Sequence, residues 1–132
     1  MMQVLQPPGW ARPKGYSNGI ATRGGKLVFI AGQVGWSGDG GWREAGFSGQ
    51  FRQALANLLA VLAEAGGKPE HIARLTWYVL DKQEYLAALP EVGAAYRELI
   101  GRHYPAMTVL QVSGLVEDRA RLELEATAVV PD

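Results

Sequence analysis

Two segments near the C-terminus constrain the fold of this chain more than any others: Pro105-Ala106-Met107-Thr108-Val109-Leu110-Gln111-Val112 and, after a short loop, Leu122 to Val130. In the second, Leu122, Leu124, Ala126, Ala128 and Val130 alternate with Arg121, Glu123, Glu125, Thr127 and Val129. A period of two matches an extended strand with one apolar and one mixed face, because successive side chains leave a pleated backbone on opposite sides. The two segments have the layout of adjacent antiparallel strands joined by residues 113–120, and one of them carries carboxylates.

Upstream, residues 18–23, the diglycine Gly24-Gly25 and residues 26–33 read as a hairpin, since paired glycines supply the positive backbone angles of a tight turn. A short strand over residues 3–6 can precede it. Residues 34–46, rich in glycine and carrying Trp36 and Trp42, read as a loop. From Gly49 to Ala65 the residues Phe51, Leu55, Leu58, Leu59 and Leu62 recur at helical spacing, and Gly66-Gly67 offers a left-handed stop. Residues 72–80 are strand-like. Asp81 with Glu84 forms a capping box that opens a second helix, which Pro90 interrupts after Leu89 and which continues to about Arg102. The order is β-β-α-β-α-β-β, without an internal repeat or a linker, so residues 1–132 form one domain.

Strands first and helices later give an α+β domain, one mixed sheet with two helices on one face. The opposite face then lacks a cover. We expect a face bearing Val109, Gln111, Thr127 and Val129 to be buried against further copies of the chain. Thirteen basic and thirteen acidic residues cancel, which argues against nucleic acid or an anionic membrane as partner. There is no cysteine, so disulfides, thiol catalysis and Cys-ligated zinc are excluded. Two unclustered histidines argue against a metal site. The N-terminal residues do not read as a signal peptide and no apolar run is long enough to span a bilayer, so the expectation is a soluble, cytoplasmic protein.

Tyr16-Ser17-Asn18, the strand ending Val28-Phe29-Ile30-Ala31-Gly32-Gln33, the helix segment Gln53-Ala54-Leu55-Ala56-Asn57-Leu58 and the stretch from Pro105-Ala106 to Glu123 together resemble the RidA/YjgF family of reactive-intermediate deaminases, also called endoribonuclease L-PSP-like. The resemblance covers essentially the whole chain. It implies a chorismate-mutase-like fold, a homotrimer with a central β-barrel, and small-molecule clefts between subunits. It also implies hydrolysis of enamines and imines to a carbonyl product and ammonia, with no cofactor.

The family's site maps unevenly onto this chain. Family deaminases carry an arginine where Met107 stands, and that arginine grips a substrate carboxylate. Losing one partner of a buried charged pair costs about 2 to 5 kcal/mol, roughly tenfold to a few thousandfold in binding. Ala31 stands where the family often has a serine, Gly93 where it has an asparagine, and Val109 where it has a small polar residue, all shifts toward apolar character. Tyr16, the Gly32 backbone and Glu123 remain. The resemblance assigns Glu123 to orienting the attacking water, and its sequence neighbours Leu122 and Leu124 suggest an apolar setting suited to proton transfer.

The substrate-binding candidates are thus Tyr16, Ala31, Gly32, Gly93, Met107 and Val109, with Trp36 and His103 at the rim and Glu123 as catalytic candidate. The alternative for Glu123 is a pairing with Arg121 or a neighbouring strand, and Glu125 reads as a solvated or paired charge. Arg23, Arg43, Arg97 and Arg102 are alternative sources of a cation among which the sequence does not choose. Three functions are open: an imine or enamine deaminase with an altered pocket, a non-catalytic trimer binding apolar or aromatic metabolites, and an endoribonuclease-like activity, which the neutral charge disfavours.

Overall fold

A computed structural model describes residues 2–132. Met2–Leu5 (β1) and Gly19–Thr22 (β2) pair as a separate antiparallel ribbon. Lys26–Gln33 (β3), Phe47–Glu64 (α1), Ile72–Val79 (β4), Lys82–Ala87 (α2), Leu89–Leu99 (α3), Ala106–Gln111 (β5) and Leu122–Val130 (β6) follow in the chain. The last four strands form a mixed sheet in the order β3-β6-β4-β5, antiparallel except between β4 and β5. The α+β architecture read from the sequence is therefore present, with the second predicted helix divided at Pro90, which sits in the first turn of α3.

The alternation in β6 is realised residue by residue. Leu122, Leu124, Ala126, Ala128 and Val130 are buried toward the helices, while Glu123, Glu125, Thr127 and Val129 lie half-exposed on the other side. Helix α1 lays Phe51, Ala54, Leu55, Leu58 and Leu62 on that inner face, all fully buried. Each such large side chain contributes about 1.5 to 3 kcal/mol by leaving water, so this layer dominates stability. The helix ends where the glycines predict: Gly66, at φ 77°, donates to the Ala63 carbonyl and Gly67 donates to that of Leu62. Gln50 is the polar member of the layer. Its amide donates to the Glu44 and Arg119 carbonyls and accepts from Arg121 N–H, fastening the loop before β6 to the helix.

Two expectations about pairing are overturned. The diglycine does turn the chain, with φ of 69° and 77° at Gly24 and Gly25, but β2 and β3 belong to different sheets. A side chain on Gly25 would meet the Val130 carbonyl at 2.7 Å, so the turn is shaped by its approach to β6. The strands β5 and β6 are not neighbours either, because β4 lies between them. The crossover through α2 and α3 returns β5 parallel to β4 on the side away from β6.

That insertion also changes the faces. Leu75 pairs with Met107 and Trp77 with Val109, which turns Met107, Val109 and Gln111 toward the helices, opposite to Thr127 and Val129. The unpartnered outer face instead carries Leu27 and Phe29 from β3, Thr127 and Val129 from β6, and Leu110 from β5. Phe29 is 75% exposed and Leu27 56%, an apolar surface with no helix over it. At the start of α2, Asp81 caps Gln83 N–H as expected, whereas Glu84 leaves the expected box to form a paired contact with Arg121.

Candidate functional site

The site residues read from the sequence fall into two groups on opposite faces of the sheet. The first group surrounds a cavity of about 520 Å³ between β4 and β5 on one side and α2 and α3 on the other. Met107 and Val109 reach it from β5 and Trp77 from β4. Tyr85, Leu89, Val92, Gly93, Tyr96 and Arg97 reach it from the helices, and Lys14, Gly15, Tyr16 and Tyr104 close it from loops. Tyr16 is carried there by backbone pairing: Ser17 N–H donates to the Pro105 carbonyl at 3.0 Å, and its hydroxyl donates to the Tyr104 carbonyl at 2.5 Å. The Tyr16-Ser17-Asn18 and Pro105-Ala106 motifs, far apart in sequence, are thereby one local structure.

Aromatic packing gives the cavity a fixed shape. Trp77 stacks on Phe51 with centroids 4.7 Å apart and meets Tyr85 edge-on at 5.7 Å. Tyr96 and Tyr104 stack at 5.9 Å. Among the described residues, Trp77 Nε1 is the one buried side-chain donor without an acceptor. Burial pushes the Tyr85 and Tyr96 phenols up, and neighbouring Tyr104 adds to the effect at Tyr96, so the wall stays uncharged at neutral pH. Lys14 and Arg97 are the only charged side chains among its lining, and both are cations.

The second group is on the uncovered face. The pairing of β3 with β6 shifts between Ile30 and Gln33, a bulge that places Ala31 and Gly32 where a regular strand would have one residue. The Glu123 carboxylate rests directly on the Gly32 backbone: a β-carbon there would collide with Glu123 Oε2 at 1.9 Å. Glycine at 32 is thus what lets the carboxylate lie against the main chain. Leu122 and Leu124 point away to the helix side, so the apolar setting inferred for Glu123 from its sequence neighbours does not exist in the isolated chain. Arg121 is engaged by Glu84, which raises the guanidinium's affinity for its proton and leaves Glu123 without that alternative partner. Glu125 accepts a hydrogen bond from Tyr78, which raises the phenol's pKa.

The rim candidates lie elsewhere. Trp36 packs on Trp42 at 6.3 Å, and Asn57 holds its carbonyl at 2.7 Å. His103 Nε2 is 2.6 Å from the Ile72 carbonyl. Neither belongs to the cavity lining. Sequence reasoning missed the aromatic wall of α2, α3 and Tyr104. The signal was the four-residue spacing of Leu89, Gly93 and Arg97 and of Val92 and Tyr96, which sets these residues along neighbouring lines of one helix surface.

A family model described as endoribonuclease L-PSP matches residues 10–130. A RutC family protein of Pyrococcus horikoshii is 33% identical over 97% of this chain and 98% of its own length. The 2-iminobutanoate/2-iminopropanoate deaminase of Escherichia coli is 30% identical over 80% of each chain. The crystal structure of YyfB from Yersinia pestis, a protein of unknown function in the conserved Rid family, superposes with a TM-score of 0.84, covering 98% of each chain at 30% identity.

Proposed function

The chain belongs to the RidA/YjgF family, also described as endoribonuclease L-PSP, and from that membership we propose that it is a homotrimeric imine or enamine hydrolase whose site is shared between copies. The observation that carries the proposal is the separation of the two groups. Glu123 over Gly32 faces the uncovered apolar surface, whereas the ligand cavity lies behind the same sheet, so one protomer does not bring them together. Apposing the surface bearing Phe29 on one copy to the open β5 edge of the next would bury it and set one copy's Glu123 beside another's cavity.

In this reading, one half binds the ligand body and the other performs proton transfer. Water adds to the imine carbon as Glu123 takes one of its protons, giving a carbinolamine. That proton passes to the nitrogen to complete the carbinolamine's amino group; Glu123 then moves the hydroxyl proton to the same nitrogen as the carbon–nitrogen bond breaks, and ammonia leaves with a carbonyl product. The cycle consumes one water and returns Glu123 to its carboxylate form. The Gly32 main chain steadies the reacting group, and the step needs no cofactor. Glu123→Gln keeps the shape and removes the base. Ammonia release is expected to fall by about 10² to 10⁴ while the oligomer persists. Unchanged turnover would remove this mechanism.

Met107 favours a second reading, a trimer that binds small apolar or aromatic metabolites without transforming them. Ligands that raise the melting temperature and are recovered intact, with no imine hydrolysed, would select it.

A further inference from the structure

Arg97 has no family role assigned to it above, yet its guanidinium reaches the cavity that Met107 also lines. The geometry explains how. Gly93 and Arg97 are one helical turn apart, and a β-carbon on Gly93 would come 3.4 Å from Arg97 Nη1. The guanidinium therefore lies back along the bare main chain of Gly93, at ordinary contact distance from where a side chain there would begin. Arg97 takes part in none of the ion pairs or side-chain hydrogen bonds among the described residues, whereas Arg43, Arg52 and Arg121 are all paired. Its charge faces an otherwise uncharged aromatic wall with Lys14 as the only other ion.

We infer that the anion anchor of this cavity has moved from β5 to α3: Arg97, assisted by Lys14, holds the carboxylate of an acid whose body is aromatic or large and apolar. Three features select this ligand class. The cavity, at about 520 Å³, is far larger than a three-carbon acid needs and lies in the range of sites that enclose larger organic ligands. Its wall of Trp77, Tyr85, Tyr96 and Tyr104 suits a planar body. Both of its charges are positive. Methionine at 107 then replaces the old cation with a thioether that packs against the ligand body.

The inference rests on the proposed site and is separable from the proposed chemistry. Phenylpyruvate, the oxygen analogue of an aromatic 2-imino acid, is the probe, titrated calorimetrically against the intact oligomer beside its neutral methyl ester and pyruvate. Phenylpyruvate should bind at least tenfold more tightly than either. Arg97→Gln should weaken phenylpyruvate by about tenfold to a hundredfold and leave the ester within about twofold, and Arg97→Lys should restore part of the loss. Adding Met107→Arg to Arg97→Gln should shift preference back toward pyruvate. A role confined to the end of α3 would change the melting temperature and not the acid-to-ester ratio. Equal binding of acid and ester, or an acid affinity that Arg97→Gln leaves unchanged, overturns the inference even if Glu123→Gln abolishes turnover. Arg97-dependent binding in a protein that releases no ammonia from any imine upholds the anchor and removes the hydrolase.

Discussion

The two faces of the central sheet do opposite work with the same strands. On β6, the residues turned toward the helices are apolar, fully enclosed and packed under α1, and the residues turned outward include two carboxylates and stay half in water. The inner face is finished within one chain, while the outer face, with Phe29 and Leu27 exposed beside Glu123 over Gly32, is left uncovered. The difference teaches that stability and proposed chemistry are separated by a single peptide step, because neighbouring residues of one strand serve different layers.

The hardest blow to this division is struck on the inner face. Leu124→Ala should cost about 2 to 5 kcal/mol, whereas Val129→Ala on the outer side of the same strand should cost well under half as much in the isolated chain. Chemical denaturation of both variants checks this, and equal losses would break the comparison. Phe29→Asp should do the reverse. It should leave the helix-side layer folded and convert a particle of three times the 14.3 kDa chain mass into a single chain by light scattering, with loss of any imine hydrolysis. A trimer that survives this change places the contact elsewhere.

Gly32→Ala sharpens the same contrast at the candidate site. The new methyl group collides with the flexible end of Glu123 and not with main chain, so the carboxylate swings aside. Ammonia release is expected to drop by about tenfold or more, with under about 1 kcal/mol lost in unfolding. The smallest effect belongs to the contact between Arg121 and Glu84 at the edge of both layers. It is partly exposed, so Arg121→Met should cost at most about 1 kcal/mol, and added salt should narrow the difference from the parent chain.

Much of this arrangement was legible from local pattern. The apolar stripe of α1, its glycine stop, the break at Pro90 and the two faces of β6 each follow from spacings within a few residues. Pairing was not. Gly24-Gly25 turns the chain without making a hairpin, and β4 enters between two strands that the short loop 113–120 had suggested were partners. A strand's neighbours are set by crossover handedness and burial of the whole sheet, which no local window contains.

For the candidate site, the family motifs pointed to Tyr16, Gly32, Gly93, Met107, Val109 and Glu123, but could not say that Glu123 lies across the sheet from the cavity. That assignment depends on the register Leu75 to Met107, fixed only when β5 aligns with β4. The aromatic wall escaped notice because Tyr85, Tyr96 and Tyr104 look like ordinary packing until α2 and α3 are folded over the strand. Arg97 was one cation among several until the fold placed it in the cavity lining.

The crossover from β4 through α2 and α3 to β5 supplies most of the cavity, and it contributes neither Gly32 nor Glu123. In the proposed scheme recognition and reaction therefore sit on separate modules. Substitutions drifting through one contiguous segment would then rewrite what the protein accepts without disturbing what it does, and a transplanted crossover would offer an engineer the same freedom.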